Sequence, residues 1–333
     1  MTLGFVGMVA GFSFLLALLL IWLLKHYAGC LGLIDHPNAR SIHLQATPRG
    51  AGVGIYVAVS IALFVGCFDL MYSYFWSWVA LFLVMCVGLY DDYYDTSHSA
   101  KFMVIIGSTL LLLFDGIVIE DLGTFLGIPL FLAWFAMPFT LFVVVGFTNA
   151  LNLIDGLDGL AGTLSLIILG SFGLIGYWYE DPFILLVASA FMGALVAFLL
   201  FNWYPASLFM GDSGSLSLGF VISILAIESL EYIDAVSILF LAAVPILDTL
   251  VVVLRRLRTH HSLFLPDRLH THHLLRESLS HSTPKSVLLL ALIQLLYSTL
   301  GLVTTGWIEE EVMLILFVFT ILLLYGVVSR RIG

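Results

Sequence analysis

The sequence predicts an all-α polytopic membrane protein of about eleven transmembrane helices, folded as a single domain over residues 1–333. Three observations carry that prediction. The chain is 61% hydrophobic and 10% charged, with a mean hydropathy of +1.11. Apolar runs of about 18 residues or more recur along it, the length that crosses a bilayer as a helix. All 12 Lys and Arg fall in alternate connections between those runs. In lipid the backbone must satisfy its own hydrogen bonds, which a bundle of helices does. No internal repeat or low-complexity linker divides the chain.

Taken in order, the spans fall at roughly 3–24, 50–69, 72–90, 102–119, 131–149, 160–178, 183–201, 215–230, 235–254, 286–306 and 311–328. The first is expected to stay in the mature chain, because Lys25 follows it and no basic region precedes it. Lys25, Arg40 and Arg49 then lie between the first and second spans, and Lys101 between the third and fourth. Arg255, Arg256, Arg258, Arg268, Arg276 and Lys285 follow the ninth span, and Arg330 and Arg331 the last. The other connections hold acids and neutral polar residues, among them Glu120, Asp121, Glu180, Asp181, Glu228, Glu231, Asp234 and Glu309 to Glu311. Lys and Arg are retained on the cytoplasmic side during insertion. The N-terminus is therefore expected in the periplasm, the C-terminus in the cytoplasm, and the chemistry in the cytoplasmic loops. Residues 120–130, with Gly123, Gly127 and Pro129, read as a small external hairpin. The net charge of −10 divides by side, and no basic stripe is dense enough for nucleic acid. Cys30, Cys67 and Cys86 have no metal-ligand spacing and read as packing residues.

All 10 histidines also lie in the basic set of connections, where five segments concentrate the polar chemistry. The first, from Leu33 to Gly54, contains Asp35, Asn38, Arg40, His43 and Arg49. It can cradle phosphate through Arg49 or serve only as a topogenic basic loop. The second is Asp91-Asp92-Tyr93-Tyr94-Asp95. Three carboxylates so close repel one another and call for a bound cation or a retained proton. The third spaces Asn149, Asn152, Asp155 and Asp158 three residues apart, one polar ridge if the turn is helical. Gly156 and Gly159 let the backbone approach a ligand. The fourth, Gly211-Asp212-Ser213-Gly214-Ser215, opens the eighth span. It is expected to offer free N–H groups to phosphate and Asp212 to Mg²⁺, or else to be an N-cap. The fifth holds Arg268, His270, His272 and His273, suited to an anion or a transition metal; the hard carboxylate and amide surroundings favour the anion. Asp248, after Pro245 in the ninth span, is an intramembrane acid that pairs with this loop or bends with its helix. A bilayer-surface cleft with Mg²⁺, phosphate-binding loops and spare carboxylates suits phosphoryl transfer involving a lipid.

Together these segments resemble the polyprenyl-phosphate N-acetylhexosamine-1-phosphate transferases, nearest to the bacterial undecaprenyl-phosphate GlcNAc-1-phosphate branch. The resemblance rests on Asp91-Asp92-x-x-Asp95, on Asn149-x-x-Asn152-x-x-Asp155-Gly-x-Asp158-Gly-Leu-Ala, on Gly211-Asp212-Ser-Gly-Ser and on Pro266-Asp267-Arg268-x-His270-x-His272-His273. The Pro37-Asn38-x-Arg40-x-x-His43 loop is similar too. The resemblance implies eleven spans in a bacterial inner membrane, and transfer of a sugar 1-phosphate from a UDP-N-acetylhexosamine to undecaprenyl phosphate with release of UMP. It implies Asp91, Asp92, Asp155 and Asp158 as catalytic, and Asp212 with Asp91 and Asp92 near Mg²⁺, for which Mn²⁺ is a candidate substitute. Arg49, Asn149, Asn152, Ser213, Arg268, His270, His272 and His273 are implied to bind substrate, and a second copy of the chain is a candidate partner. Direct attack by the lipid phosphate is expected, with an aspartyl-phosphate on Asp91 as the competing route. The product would begin a surface polysaccharide such as an O-antigen.

Two departures qualify the branch. Asp95 stands where the muramyl-pentapeptide transferases usually carry Lys, and the His-Thr-His-His run also leans away from them. Thr47 to Gly52 is similar to relatives that use other N-acetylated sugars. Either group remains an alternative within the class. A polytopic transporter is the rival from another class, but transporters place polar residues at mid-membrane within paired repeats. A CDP-alcohol phosphotransferase would need an Arg after Asp158-Gly159-Leu160-Ala161, where Gly162 stands.

Overall fold

The computed structural model describes residues 2–37, 46–94, 96–259 and 270–332, and within them the chain is predominantly helical. Helix α1 (Leu3–Leu31) stops at Gly32, whose left-handed backbone turns its N–H back onto the carbonyls of Ala28 and Gly29. A short antiparallel pair, β1 (Ile34–Asp35) with β2 (Thr47–Pro48), leads into α2 (Ala51–Gly66). The short α3 (Phe68–Ser73) turns the chain into α4 (Phe75–Tyr94), and α5 (His98–Leu112) returns beside it. The expected hairpin is present as β3 (Asp121–Phe125) paired antiparallel with β4 (Ile128–Phe131). Then follow α6 (Ala136–Ile154), α7 (Leu160–Trp178), α8 (Pro182–Asn202) and α9 (Asp212–Glu228). The chain ends with α10 (Ala235–Leu241), α11 (Ala243–Thr259), α12 (Thr271–Ser278), α13 (Thr283–Thr304) and α14 (Glu310–Ile332).

Helix α9 forms the axis of the bundle. Its residues from Ser213 to Leu225 are buried, and α2, α4 and α6 pack around it. Small side chains (Gly214, Ser217, Gly219, Ser223) let these neighbours close on it, with the hydroxyls of Ser217 and Ser223 returned to carbonyls one turn back. Helix α8 packs against α7 and α1, forming a second layer.

Every stretch expected to span carries a helix, but they are not alike. Among the described residues, 8 helices are long and apolar enough to cross a membrane, while Ala51–Gly66 is shorter. The expected ninth span is broken: α10 and α11 meet at 91°. The local chemistry accounts for the break. Pro245 has no N–H to give, so the preceding turn loses a hydrogen bond and its ring crowds that turn. Gln294 of α13, fully buried, takes up the freed groups. Its Oε1 accepts the N–H of Val244 at 2.9 Å and its Nε2 donates to the Leu241 carbonyl at 2.7 Å. The break turns α11 toward α6 and α14.

Candidate active site

The site forms where α4 ends and α9 begins. Asp92, only 3% exposed, is the N-terminal cap of α9. Its Oδ1 accepts the backbone N–H of Asp212 at 2.8 Å and its Oδ2 that of Ser213 at 3.2 Å. A carboxylate at the positive end of a helix is stabilised by both the hydrogen bonds and the dipole. Gly211 makes the approach possible: its φ is +75°, and a Cβ there would sit 2.5 Å from Asp92 Oδ2. The N–H groups of Gly214 and Ser215 return to the Gly211 carbonyl. The first N–H groups of α9 are thus engaged within the protein. This differs from the free phosphate-binding helix end expected from the sequence, and the reason is that Asp92 already supplies the anion.

Asp91 faces elsewhere. Its Oδ1 accepts the N–H of Thr96 at 2.8 Å, and its Oδ2 lies 3.1 Å from the ammonium of Lys101. The same ammonium donates to Asp212 Oδ2 at 2.7 Å. Two carboxylates from different helices therefore share one cation. The structure gives these neighbours different work: Asp92 holds backbone, whereas Asp91 and Asp212 hold a positive charge. Their hard oxygen donors suit Mg²⁺ or Mn²⁺, and the ammonium marks where positive charge is favoured.

The Asn/Asp ridge is bent. Asn149 and Asn152 ride the last turns of α6, which ends at Ile154, and Asp155 and Asp158 lie in the turn before α7. Asn152 Nδ2 donates to Ser215 Oγ at 2.8 Å, which fastens this segment to the start of α9. Asp158 Oδ2 accepts the N–H of Ala206 at 3.0 Å. Asn202, buried at the end of α8, clamps the turn: its Oδ1 accepts the Gly159 N–H and its Nδ2 donates to the Leu208 carbonyl, both at 2.9 Å. Burial, and then the charges of Asp212, Asp92 and Asp158, push the Asp155 carboxyl up to about 7. Four carboxylates repelling across one small volume are relieved by an added cation.

The histidines complete one wall. A Cβ on Gly156 would lie 2.8 Å from His272 Nε2 and 3.2 Å from His273 Cε1, so the rings lie against the turn that carries Asp155. Burial, together with His272 and His270, holds His273 down at about 4, so it is neutral near pH 7. On the opposite flank, Arg49 follows β2 with its guanidinium 3.9 Å from Asp35. Its loop is tied to the segment before Gly211 by three backbone bonds: Phe209 N–H to Pro48, Ala51 N–H to Phe209 and Gly52 N–H to Met210. Asp95, Arg268, Pro266, Asp267, Asn38, Arg40 and His43 lie outside the described residues.

Sequence reasoning gave no role to Lys101 or Asn202. Lys101 had one signal, being the sole basic residue between the third and fourth expected spans. Asn202 follows the seventh expected span with no signal of its own, since its partners are set by the fold.

The model of glycosyl transferase family 4 matches residues 74–230, which include the carboxylate cluster and the start of α9. A Bacillus subtilis (strain 168) protein named "Probable undecaprenyl-phosphate N-acetylglucosaminyl 1-phosphate transferase" is 32% identical over 316 residues, 92% of this chain and 88% of that protein. Proteins named "Undecaprenyl-phosphate alpha-N-acetylglucosaminyl 1-phosphate transferase" are similar as well. That of Escherichia coli O157:H7 is 29% identical over 96% of this chain and 89% of its own length. That of Yersinia pestis is 29% identical over 96% and 90%.

Proposed function

The chain belongs to glycosyl transferase family 4, and from that premise we propose that it transfers N-acetylglucosamine 1-phosphate to undecaprenyl phosphate, taking it from UDP-N-acetylglucosamine and releasing UMP. The observation that carries the reading is that Asp91 and Asp212, from separate helices, share the Lys101 ammonium at the start of α9, with Asp92 capping that helix and Asp155 near enough to be raised by burial and by the charges of Asp212 and Asp92. Such a site has little covalent work to do, because phosphoryl transfer is governed by positioning and by neutralising charge.

In the proposed step, an oxygen of the lipid phosphate bonds to the β-phosphorus of the donor. The bond from that phosphorus to the bridging oxygen breaks, and UMP leaves with the electron pair. The lipid phosphate is already anionic and needs no strong base, so Asp91 guides it by holding the Lys101 ammonium at the site. Asp212 and Asp91 would hold Mg²⁺ or Mn²⁺, which neutralises charge on the diphosphate when bound. Asp92 fixes Asp212 by holding its backbone, and Asn152 and Asp158 fix the turn that carries Asp155. Arg49, Asn149 and the His270 to His273 wall are the candidate donor contacts. Eleven spans with the C-terminus in the cytoplasm would put this site on the cytoplasmic face of the inner membrane, where UDP-sugars are made.

Mass spectrometry of the lipid fraction after incubation with UDP-N-acetylglucosamine, undecaprenyl phosphate and Mg²⁺ tests the reading. Undecaprenyl diphosphate N-acetylglucosamine is the expected product. An unchanged lipid from folded protein, with UDP-N-acetylgalactosamine and other N-acetylated donors also inactive, would overturn it. A reporter fused after Arg331 should read cytoplasmic, and an external reading would invert the topology.

A further inference from the structure

Asp248 is an acid inside an apolar helix, 4% exposed, three residues beyond the proline that breaks the span. Burying a carboxylate there is costly unless each oxygen is satisfied. Both are. Oδ1 accepts the N–H of Thr271, and Oδ2 lies 2.9 Å from His270 Nδ1 and 3.1 Å from His272 Nδ1. An ionised carboxylate only accepts, so both Nδ1 atoms carry a proton. The nitrogen left to each ring for other work is Nε2. His272 is 1% exposed and its Nε2 has no hydrogen-bond partner, yet it lies against Gly156, in the turn between Asp155 and Asp158. A buried nitrogen without a partner, on a ring held by a second group and lying against the turn that carries Asp155, is arranged for something that arrives there.

We propose that Asp248 is a positioning residue of the transfer reaction: it fixes the protonation pattern and orientation of His270 and His272 and so presents His272 Nε2, as an acceptor, to a hydroxyl of the bound donor. The inference rests on the transferase reading. A carboxylate that orients a working imidazole through Nδ1–H is a recurrent arrangement, and its loss weakens the imidazole's function without removing it. The break between α10 and α11 contributes directly, because it turns the helix that carries Asp248 toward α6, whose C-terminal end leads into the Asp155 turn.

Asp248→Asn is isosteric but puts an amide N–H₂ in place of one oxygen, so either both Nδ1–H groups or the Thr271 N–H lose their acceptor, and in either orientation the negative charge facing the two rings is gone. Its expected effect is a fall of about 10- to 100-fold in kcat/KM for the UDP-sugar, with KM for the lipid unchanged. In a His270→Gln/His272→Gln background the same substitution should add little, because the residues act as one unit. An undiminished further loss in that background would mean that Asp248 only supports the fold, and unchanged kcat/KM in the single variant would also overturn the proposal. Nitrogen-15 NMR of histidine-labelled wild-type protein gives a readout that needs no variant. His270 and His272 should both show a protonated Nδ1, and a neutral Nε2–H tautomer at either would refute the assignment. Wild-type turnover in the same preparation separates the two levels: no product from any donor defeats the transferase reading, whereas normal wild-type turnover with an unaffected Asp248→Asn defeats this inference alone.

Discussion

Asp212 and Glu228 begin and end the same helix, about 24 Å apart at 1.5 Å per residue. At the start, Asp212 shares the Lys101 ammonium with Asp91, Asp92 caps the helix, and burial followed by charge crowding raises Asp155. At the end, acids are equally plentiful, but Glu228, Asp181 and Asp115 each have a partner of their own. Glu228 Oε2 accepts the Tyr74 hydroxyl at 3.0 Å, and Asp181 Oδ2 accepts that of Tyr232 at 2.9 Å while Oδ1 caps α8 through the Ile184 N–H. Asp115 caps the first turn of α4 through Ser77. No Lys or Arg belongs to the connections on that side. Acid count does not distinguish the two ends. What does is whether carboxylates from separate elements converge on a position for one cation or are each satisfied by a phenol or a helix end.

The sharpest way to break that contrast is Asp212→Asn. It removes the charge shared with Lys101, and turnover is expected to fall by at least about 1,000-fold while the protein remains folded. Near-normal activity would take Asp212 out of the site. Lys101→Met comes next, with an expected loss of about 100-fold. Because the ammonium and a metal ion would compete for Asp91 and Asp212, half-maximal activity should then need less Mg²⁺. A titration showing a greater requirement would contradict the shared position.

A smaller effect is expected from pH. Asp155, raised to about 7, is largely protonated below that value and ionised above it. Cation binding favours the ionised form, so activity at subsaturating Mg²⁺ should climb as pH rises through about 7. Asp155→Asn should flatten that part of the profile, and an unchanged slope would assign the titration to another group. Least of all, Glu228→Gln should leave turnover within about twofold and cost about 1 kcal/mol or less of stability, read as a modest thermal shift. A large loss of activity there would erase the distinction between the two ends.

Much of this architecture is legible in the sequence, because an apolar chain makes both its helices and its exceptions conspicuous. The runs around Leu15, Phe191 and Ile222 can only be buried or in lipid, and the acids at Asp91, Asp155 and Asp212 stand out against them. The division of labour between Asp91 and Asp92 is not legible: adjacent residues on a helix point about 100° apart, and which of them meets α9 is set by packing. The break before Pro245 could be suspected from the proline. Its stability depends on Gln294, some fifty residues later, whose side chain fits only after α13 has docked. Lys101 reads as one more basic loop residue until α5 folds back and brings it between two carboxylates.

The most direct test is UMP release by the purified protein, with UDP-N-acetylglucosamine held constant and undecaprenyl phosphate and Mg²⁺ each supplied or withheld. The account predicts release only when both are present, with Asp212→Asn silent throughout. UMP formed from donor and Mg²⁺ without lipid, as a burst matching the enzyme concentration, would contradict direct displacement and point instead to a phosphorylated aspartate.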